Sequence, residues 1–95
     1  MSLVLWSEAA KDDLADLRDF YAEVSDETAQ MIIDRVVLAT RWLLDWPFAG
    51  REVGGDGWRK WSPRRTGQVL IYRPVDSGIE ISRVRGEREN WMADL

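Results

Sequence analysis

The sequence predicts an α+β fold in two layers: an N-terminal strand, then an antiparallel helical hairpin packed on a mostly antiparallel sheet of three to four strands. Two patterns predict it. Apolar residues recur at helical spacing from residue 8 to residue 45, with one interruption at Ser25-Asp26-Glu27. Residues 58–85 hold short β-rich runs, the last two split by the turn signal Asp76-Ser77-Gly78. The order β–α–α–β–β–β segregates helices from most strands, which gives one helical layer on one sheet. With 95 residues there is chain enough for a single domain, taken as 1–95.

The first run, LVLW at 3–6, suits a short strand. Ser7 follows as a helix N-cap, with Glu8, Asp12 and Asp13 early in the helix, where negative charge complements the dipole. Ala10, Leu14, Leu17, Tyr21 and Val24 form one apolar stripe, and Asp12, Asp13, Asp16, Asp19 and Glu23 lie off it as a solvated face. Ser25 or Asp26 caps the second helix, which runs from about Thr28 to Asp45. Its stripe of Ala29, Ile32, Ile33, Val36, Val37, Leu43 and Leu44 is broad enough to meet both the first helix and a sheet. Pro47 stops it by disfavouring helical geometry at Trp46. A connection of two or three residues makes the two helices antiparallel.

The glycine-rich segment 47–57 reads as loop. Strands are expected at WRKWS (58–62), QVLIYRPV (68–75) and IEISRVR (79–85). Val69–Tyr72 is apolar on both faces, so this strand is central, and Pro74, which has no ladder donor, belongs near its end. Strict alternation in the last strand puts Ile79, Ile81, Arg83 and Arg85 on one face, a row that starts in the core and ends in positive charge. Residues 89–95 read as a helical turn or tail.

Composition narrows the chemistry. There is no cysteine and no histidine, so thiolate or imidazole metal sites and histidine general-base catalysis are excluded, and no metal or cofactor is expected. No apolar run approaches the roughly 20 residues of a membrane span and no leader pattern appears, so the expected location is cytoplasmic. The net charge of −4 is uneven: residues 1–50 carry four basic and ten acidic side chains, residues 51–95 nine basic and seven acidic. An anionic partner is therefore confined to the second half. Six tryptophans are many for this length; they enlarge a small core or anchor a partner.

Three segments carry a resemblance. LLDWPFAGRE (43–52) resembles the L-x-x-x-P-x-x-G-R segment after the second helix of the RelE/ParE toxin superfamily. GQVLIYRPVDSGIEISRVRGERENW (67–91) resembles that superfamily's hairpin and arginine-rich close, and AAKDDLADLRDFY (9–21) its first helix. The likeness covers nearly the whole chain, and the ParE-like branch is the most similar. It implies a toxin of a type II toxin–antitoxin pair, whose cognate antitoxin folds a C-terminal segment around it. RelE-like members cut messenger RNA in the ribosomal A site; ParE-like members poison DNA gyrase without a known catalytic set. A homodimer or a toxin–antitoxin hetero-oligomer is compatible with either.

The residues discriminate between these mechanisms. Metal-free RNA cleavage needs a base, an acid and a cation for the phosphorane. Arg64, Arg65, Arg83 and Arg88 would supply the charge, arginine's planar fork suiting phosphate. When GERE (86–89) is superposed on the G-K-R-E close of RelE-like toxins, Arg88 takes the phosphate-stabilising arginine's place. Glu87 then replaces a lysine, and the tyrosine expected shortly after is missing. A second register, on the H-G-R of ParE-like chains, puts Gly86 where their histidine falls. Lys60 or Glu87 would act as a base only with a large pKa shift.

A docking surface asks less: aromatic and arginine anchors are enriched at binding hot spots, and Arg85, Arg88 and Trp91 near the C-terminus, with Arg59, Lys60 and Trp61 on a neighbouring strand, would form one. The resemblance gives Arg51 a loop-bracing role. Gyrase inhibition by protein–protein contact is thus the expected function. Ribosome-dependent cleavage is the alternative, and a degenerate toxin that only binds its antitoxin is the third reading.

Overall fold

The computed structural model describes residues 2–94. Strand β1 (Leu3–Trp6) leads into helices α1 (Glu8–Ala22) and α2 (Asp26–Asp45). Four strands follow: β2 (Arg51–Glu52), β3 (Arg59–Trp61), β4 (Gln68–Val75) and β5 (Gly78–Gly86), and then a 3₁₀ turn at Trp91–Asp94. One five-stranded sheet has the order β1-β5-β4-β3-β2. Only β1 runs parallel to its neighbour. The α+β arrangement is the one expected. The sheet is larger than the three or four strands foreseen because the two-residue β2, inside the segment read as loop, pairs with β3.

Both helix caps are serines. Ser7 Oγ accepts the Ala10 N–H at 3.0 Å and Ser25 Oγ accepts the Thr28 N–H at 3.0 Å, each worth about 1 kcal/mol. Helix α2 therefore starts at Asp26, two residues before the expected start, and ends before Pro47 with Trp46 non-helical. The hairpin packs on one sheet face around Ala10, Val36, Leu43, Leu70, Tyr72, Ile79, Ile81 and Val84. Strand β4 is central, and Val69, Leu70, Ile71 and Tyr72 are all buried. Val24 departs from the α1 stripe and is exposed, since the helix ends at Ala22.

The last strand corrects the alternation argument. Tyr72 pairs with Ile81 but Ile71 pairs with Arg83, so Ser82 is an extra residue, a β-bulge. Parity flips there. Val84, not Arg83, joins Ile79 and Ile81 on the helix side, while Arg83 and Arg85 stand opposite Ile71 and Val69 on the other side. Two side chains from the start of the chain hold the bulge. Ser7 Oγ donates to the Ser82 carbonyl at 2.7 Å while capping α1. Asp13 Oδ2 accepts the Val84 N–H at 2.9 Å, at the edge of β5 that β1 leaves uncovered beyond Ile81.

Among the described residues no helix is long and apolar enough to cross a membrane.

Candidate docking surfaces

Tyr72 fixes the loop that follows α2. Its hydroxyl, buried beneath the hairpin, donates to the Pro47 carbonyl at 2.9 Å and accepts the Gly50 N–H at 2.9 Å. Arg59 Nη1 donates to the Gly50 carbonyl at 2.6 Å and to the Phe48 carbonyl at 3.3 Å. A side chain at position 50 would stand 2.5 Å from the Tyr72 hydroxyl and 2.6 Å from the Lys60 carbonyl, so glycine is required there by close approach. Burial raises the pKa of Tyr72 above its ordinary 10.0, against smaller lowering effects of the Gly50 N–H and of Arg59. The brace is Arg59 rather than Arg51, which is exposed on β2. Arg59 also lies 5.0 Å over the Phe48 ring and 3.6 Å from Glu52.

The six residues expected to form one docking surface divide between the two faces of the sheet, because neighbours on β3 point to opposite sides. Arg59 and Trp61, paired with Tyr72 and Leu70, share the helix side. Lys60 is paired with Ile71 on the far side, and its Nζ sits 4.9 Å over the Trp91 ring. The 3₁₀ turn thus folds back over the face bearing Val69 and Ile71. Arg85 ion-pairs with Glu89 at 2.7 Å, and Glu89 also accepts the Gly86 N–H, which shapes the turn that exposes Arg88. Lys60 and Trp91 therefore meet on the far side and Arg88 stands exposed at its C-terminal margin, while Arg85 and Glu89 border a cleft against α1 lined by Asp13, Leu17 and Tyr21.

The four arginines of the cleavage reading are not assembled into one cationic site. Arg83 is held by Asp13, Nε to Oδ2 at 2.9 Å and Nη2 to Oδ1 at 3.0 Å. Arg64 and Arg65 project from the turn before β4, on the α2 side. Of the tyrosines, Tyr72 is enclosed, while Tyr21 is half-buried on α1, its ring edge-on to Phe20 at 5.1 Å, and lines a cleft with Asp13, Gln68, Arg85 and Glu89.

A second surface went unread in the sequence. Leu38 and Trp42 on α2, with Trp61 and Pro63, line a groove flanked by Arg35, Arg64 and Arg65. Trp42 stacks on Trp61 at 4.9 Å and lies 6.5 Å from Trp46. Leu38, Trp46 and Phe48 remain 66%, 60% and 68% exposed. Arg65 has a left-handed φ of 57°, costing about 1–2 kcal/mol for a residue with a Cβ. Arg35 Nη1 steadies its carbonyl at 3.2 Å, and Thr66 Oγ1 ties the turn to the Pro63 carbonyl at 2.8 Å. The periodic pattern of α2 gave the only available signal: apolar residues at 38, 42 and 46 that its buried stripe does not use.

Comparison with known proteins places the fold. The model for the ParE toxin of the type II toxin–antitoxin system parDE matches residues 4–91. No curated protein matches the chain. Twelve chains of solved structures do. One, from the chromosomal ParDE TA system of P. aeruginosa, aligns over 90% of this chain and 96% of that one, with a TM-score of 0.79 and 24% identity, a likeness of fold. The match over 4–91, which takes in both helices, all of the sheet but Leu3, and Trp91, makes this chain a member of the ParE toxin family of type II toxin–antitoxin systems.

Proposed function

We propose that this chain is a toxin that inhibits DNA gyrase by protein–protein contact and is neutralised by a cognate antitoxin. The observation that carries the reading is the commitment of Tyr72 and Arg83 to structural contacts. The Tyr72 hydroxyl is buried and spent on Pro47 and Gly50, and the Arg83 guanidinium is held by Asp13. With no histidine in the chain, RNA cleavage lacks the imidazole that most often serves as proton donor and acceptor. Arg83 and Arg85 are engaged by Asp13 and Glu89, which lowers their attraction for phosphate.

What remains at the end of β5 is a surface: exposed Arg88, half-buried Trp91 and Lys60 against its ring. Tryptophan and arginine are the residues that dominate protein interfaces. Family membership supports the toxin assignment, and the relative from P. aeruginosa is described as a ParDE toxin–antitoxin system, which supports an antitoxin for this chain.

Purified protein added to gyrase is expected to block supercoiling or trap the cleaved-DNA complex. Normal supercoiling at large toxin excess would remove gyrase as the target. In a translating extract, transcripts are expected to stay intact; A-site cuts abolished by Arg88→Ala would establish the nuclease instead. An antitoxin bound tightly with no effect in either assay would identify a degenerate toxin.

A further inference from the structure

We infer that Glu89 is the positioning residue of the C-terminal docking tip, holding Arg88 and Trp91 as a preset pair for the target; this rests on the gyrase reading above. Every polar group of Glu89 is turned onto the segment 85–91. Its N–H donates to the Gly86 carbonyl at 3.0 Å, closing a four-residue turn with Arg88 at the third position. Its Oε1 accepts the Gly86 N–H at 2.9 Å and its Oε2 lies 2.7 Å from Arg85 Nη2. Its carbonyl accepts the Trp91 N–H at 2.9 Å, so the same residue that closes the turn also starts the chain toward the tryptophan.

The tip is tied to the sheet at both ends. Along the edge of β5 that β1 leaves uncovered beyond Ile81, Asp13 accepts the Val84 N–H and Glu89 accepts the Gly86 N–H, one carboxylate from α1 and one from the tip itself. At the other end Lys60 Nζ sits 4.9 Å over the Trp91 ring and fixes the indole against the sheet. Glycine at 86 is part of the device. A Cβ there would stand 2.9 Å from Oε1 and 3.3 Å from Cγ of Glu89, pushing the carboxylate off the N–H it caps.

What faces outward is Arg88, exposed at the turn, and the half-buried indole of Trp91. This pair fits a protein surface with an apolar slot for the indole and a carboxylate within reach of the guanidinium. A tip ordered in advance loses less conformational freedom on contact than a loose one. The ion pair with Arg85 is the lesser part of the role, since the Glu89 side chain is 53% exposed and exposed pairs contribute little. The hydrogen bond to Gly86 shapes the chain, so an uncharged acceptor of the same length should serve.

The test uses the full chain. Gyrase supercoiling is titrated with wild type, Glu89→Ala, Gly86→Ala and Glu89→Gln, and amide hydrogen exchange is followed on each free protein. Glu89→Ala and Gly86→Ala are expected to need at least tenfold more protein than wild type. Glu89→Gln is expected to stay within threefold, because its side-chain oxygen still accepts the Gly86 N–H. Exchange at the Trp91 N–H should quicken at least tenfold in the two weak variants while the amides of Val69–Tyr72 keep their protection, a split that a role in overall stability would not produce. Inhibition by Glu89→Ala within twofold of wild type overturns the assignment alone. So does a Glu89→Gln as weak as Glu89→Ala, which would give the effect to charge, or exchange loosened throughout β4, which would give it to the fold. Absence of inhibition by wild type in large excess overturns the gyrase reading and the inference with it.

Discussion

Asp13 and Arg83, seventy residues apart, meet through two oxygens, with Nε to Oδ2 at 2.9 Å and Nη2 to Oδ1 at 3.0 Å. The same Oδ2 accepts the Val84 N–H, so one carboxylate satisfies the uncovered edge of β5 and turns Arg83 toward α1. Asp13 is nearly buried, with a side-chain exposure of 10%. Its replacement by alanine removes one acceptor from the Arg83 guanidinium and the acceptor of the Val84 N–H. The expected loss is about 2–4 kcal/mol, read from the urea midpoint. A loss under about 0.5 kcal/mol would show that the pair does not hold the strand end.

The bulge at Ser82 depends on Ser7, whose hydroxyl both caps α1 and donates to the Ser82 carbonyl. Ser7→Ala is expected to cost about 1–2 kcal/mol, more than a cap alone. Ser25→Ala, which removes only the α2 cap and a contact with Thr28, is the comparison and should cost about 1 kcal/mol. Equal losses from the two variants would deny Ser7 its second role.

Tyr72→Phe removes both bonds to the 47–50 loop and is expected to destabilise by about 1–3 kcal/mol. Gly50→Ala forces a Cβ against the same hydroxyl and should cost about 1–3 kcal/mol through overpacking. The two changes act on one contact, so their sum should exceed the loss in the double variant. Strict additivity in denaturant melts would separate them.

Alkaline pH tests the same hydroxyl by linkage. Its pKa is raised by burial above 10.0 in the folded chain, while the unfolded chain ionises near the ordinary value. The folded state therefore binds the proton more tightly. The resulting stability is fully present below about pH 10.0 and is lost as pH rises through the raised folded value. Wild type should lose stability relative to Tyr72→Phe across that window, and parallel curves would contradict the assignment.

Most of the fold was legible because its signals are local. Ser7 and Ser25 cap, Pro47 stops α2, and Asp76-Ser77 turns β4 into β5 where Gly78 adopts a φ of 146°. The bulge was not legible. Ile-Ser-Arg-Val-Arg keeps a strand-like pattern with or without an extra residue, and the choice is made by Ser7 and Asp13 from far away in sequence. That slip also hid the exposure of the site, since it moved Arg83 and Arg85 off the core face.

Arg59 and Lys60 looked like one patch because they are adjacent; the pleat sends them to opposite sides, one to brace the loop and one to Trp91. The groove escaped for another reason. Apolar residues at helical spacing read as core, and only packing reveals that Leu38, Trp42 and Trp46 stay exposed, although Trp61 stacks on Trp42.

The central claim is that the C-terminal margin of the sheet, with Arg88 and Trp91 at its tip, contacts a protein target and performs no chemistry. The most direct measurement is gyrase supercoiling titrated with wild type, with Arg88→Glu combined with Trp91→Ala, and with Arg18→Glu. Wild type and Arg18→Glu are expected to inhibit alike, and the double variant to need at least tenfold more protein. Undisturbed supercoiling with wild type in large excess, or equal inhibition by all three, would contradict the account.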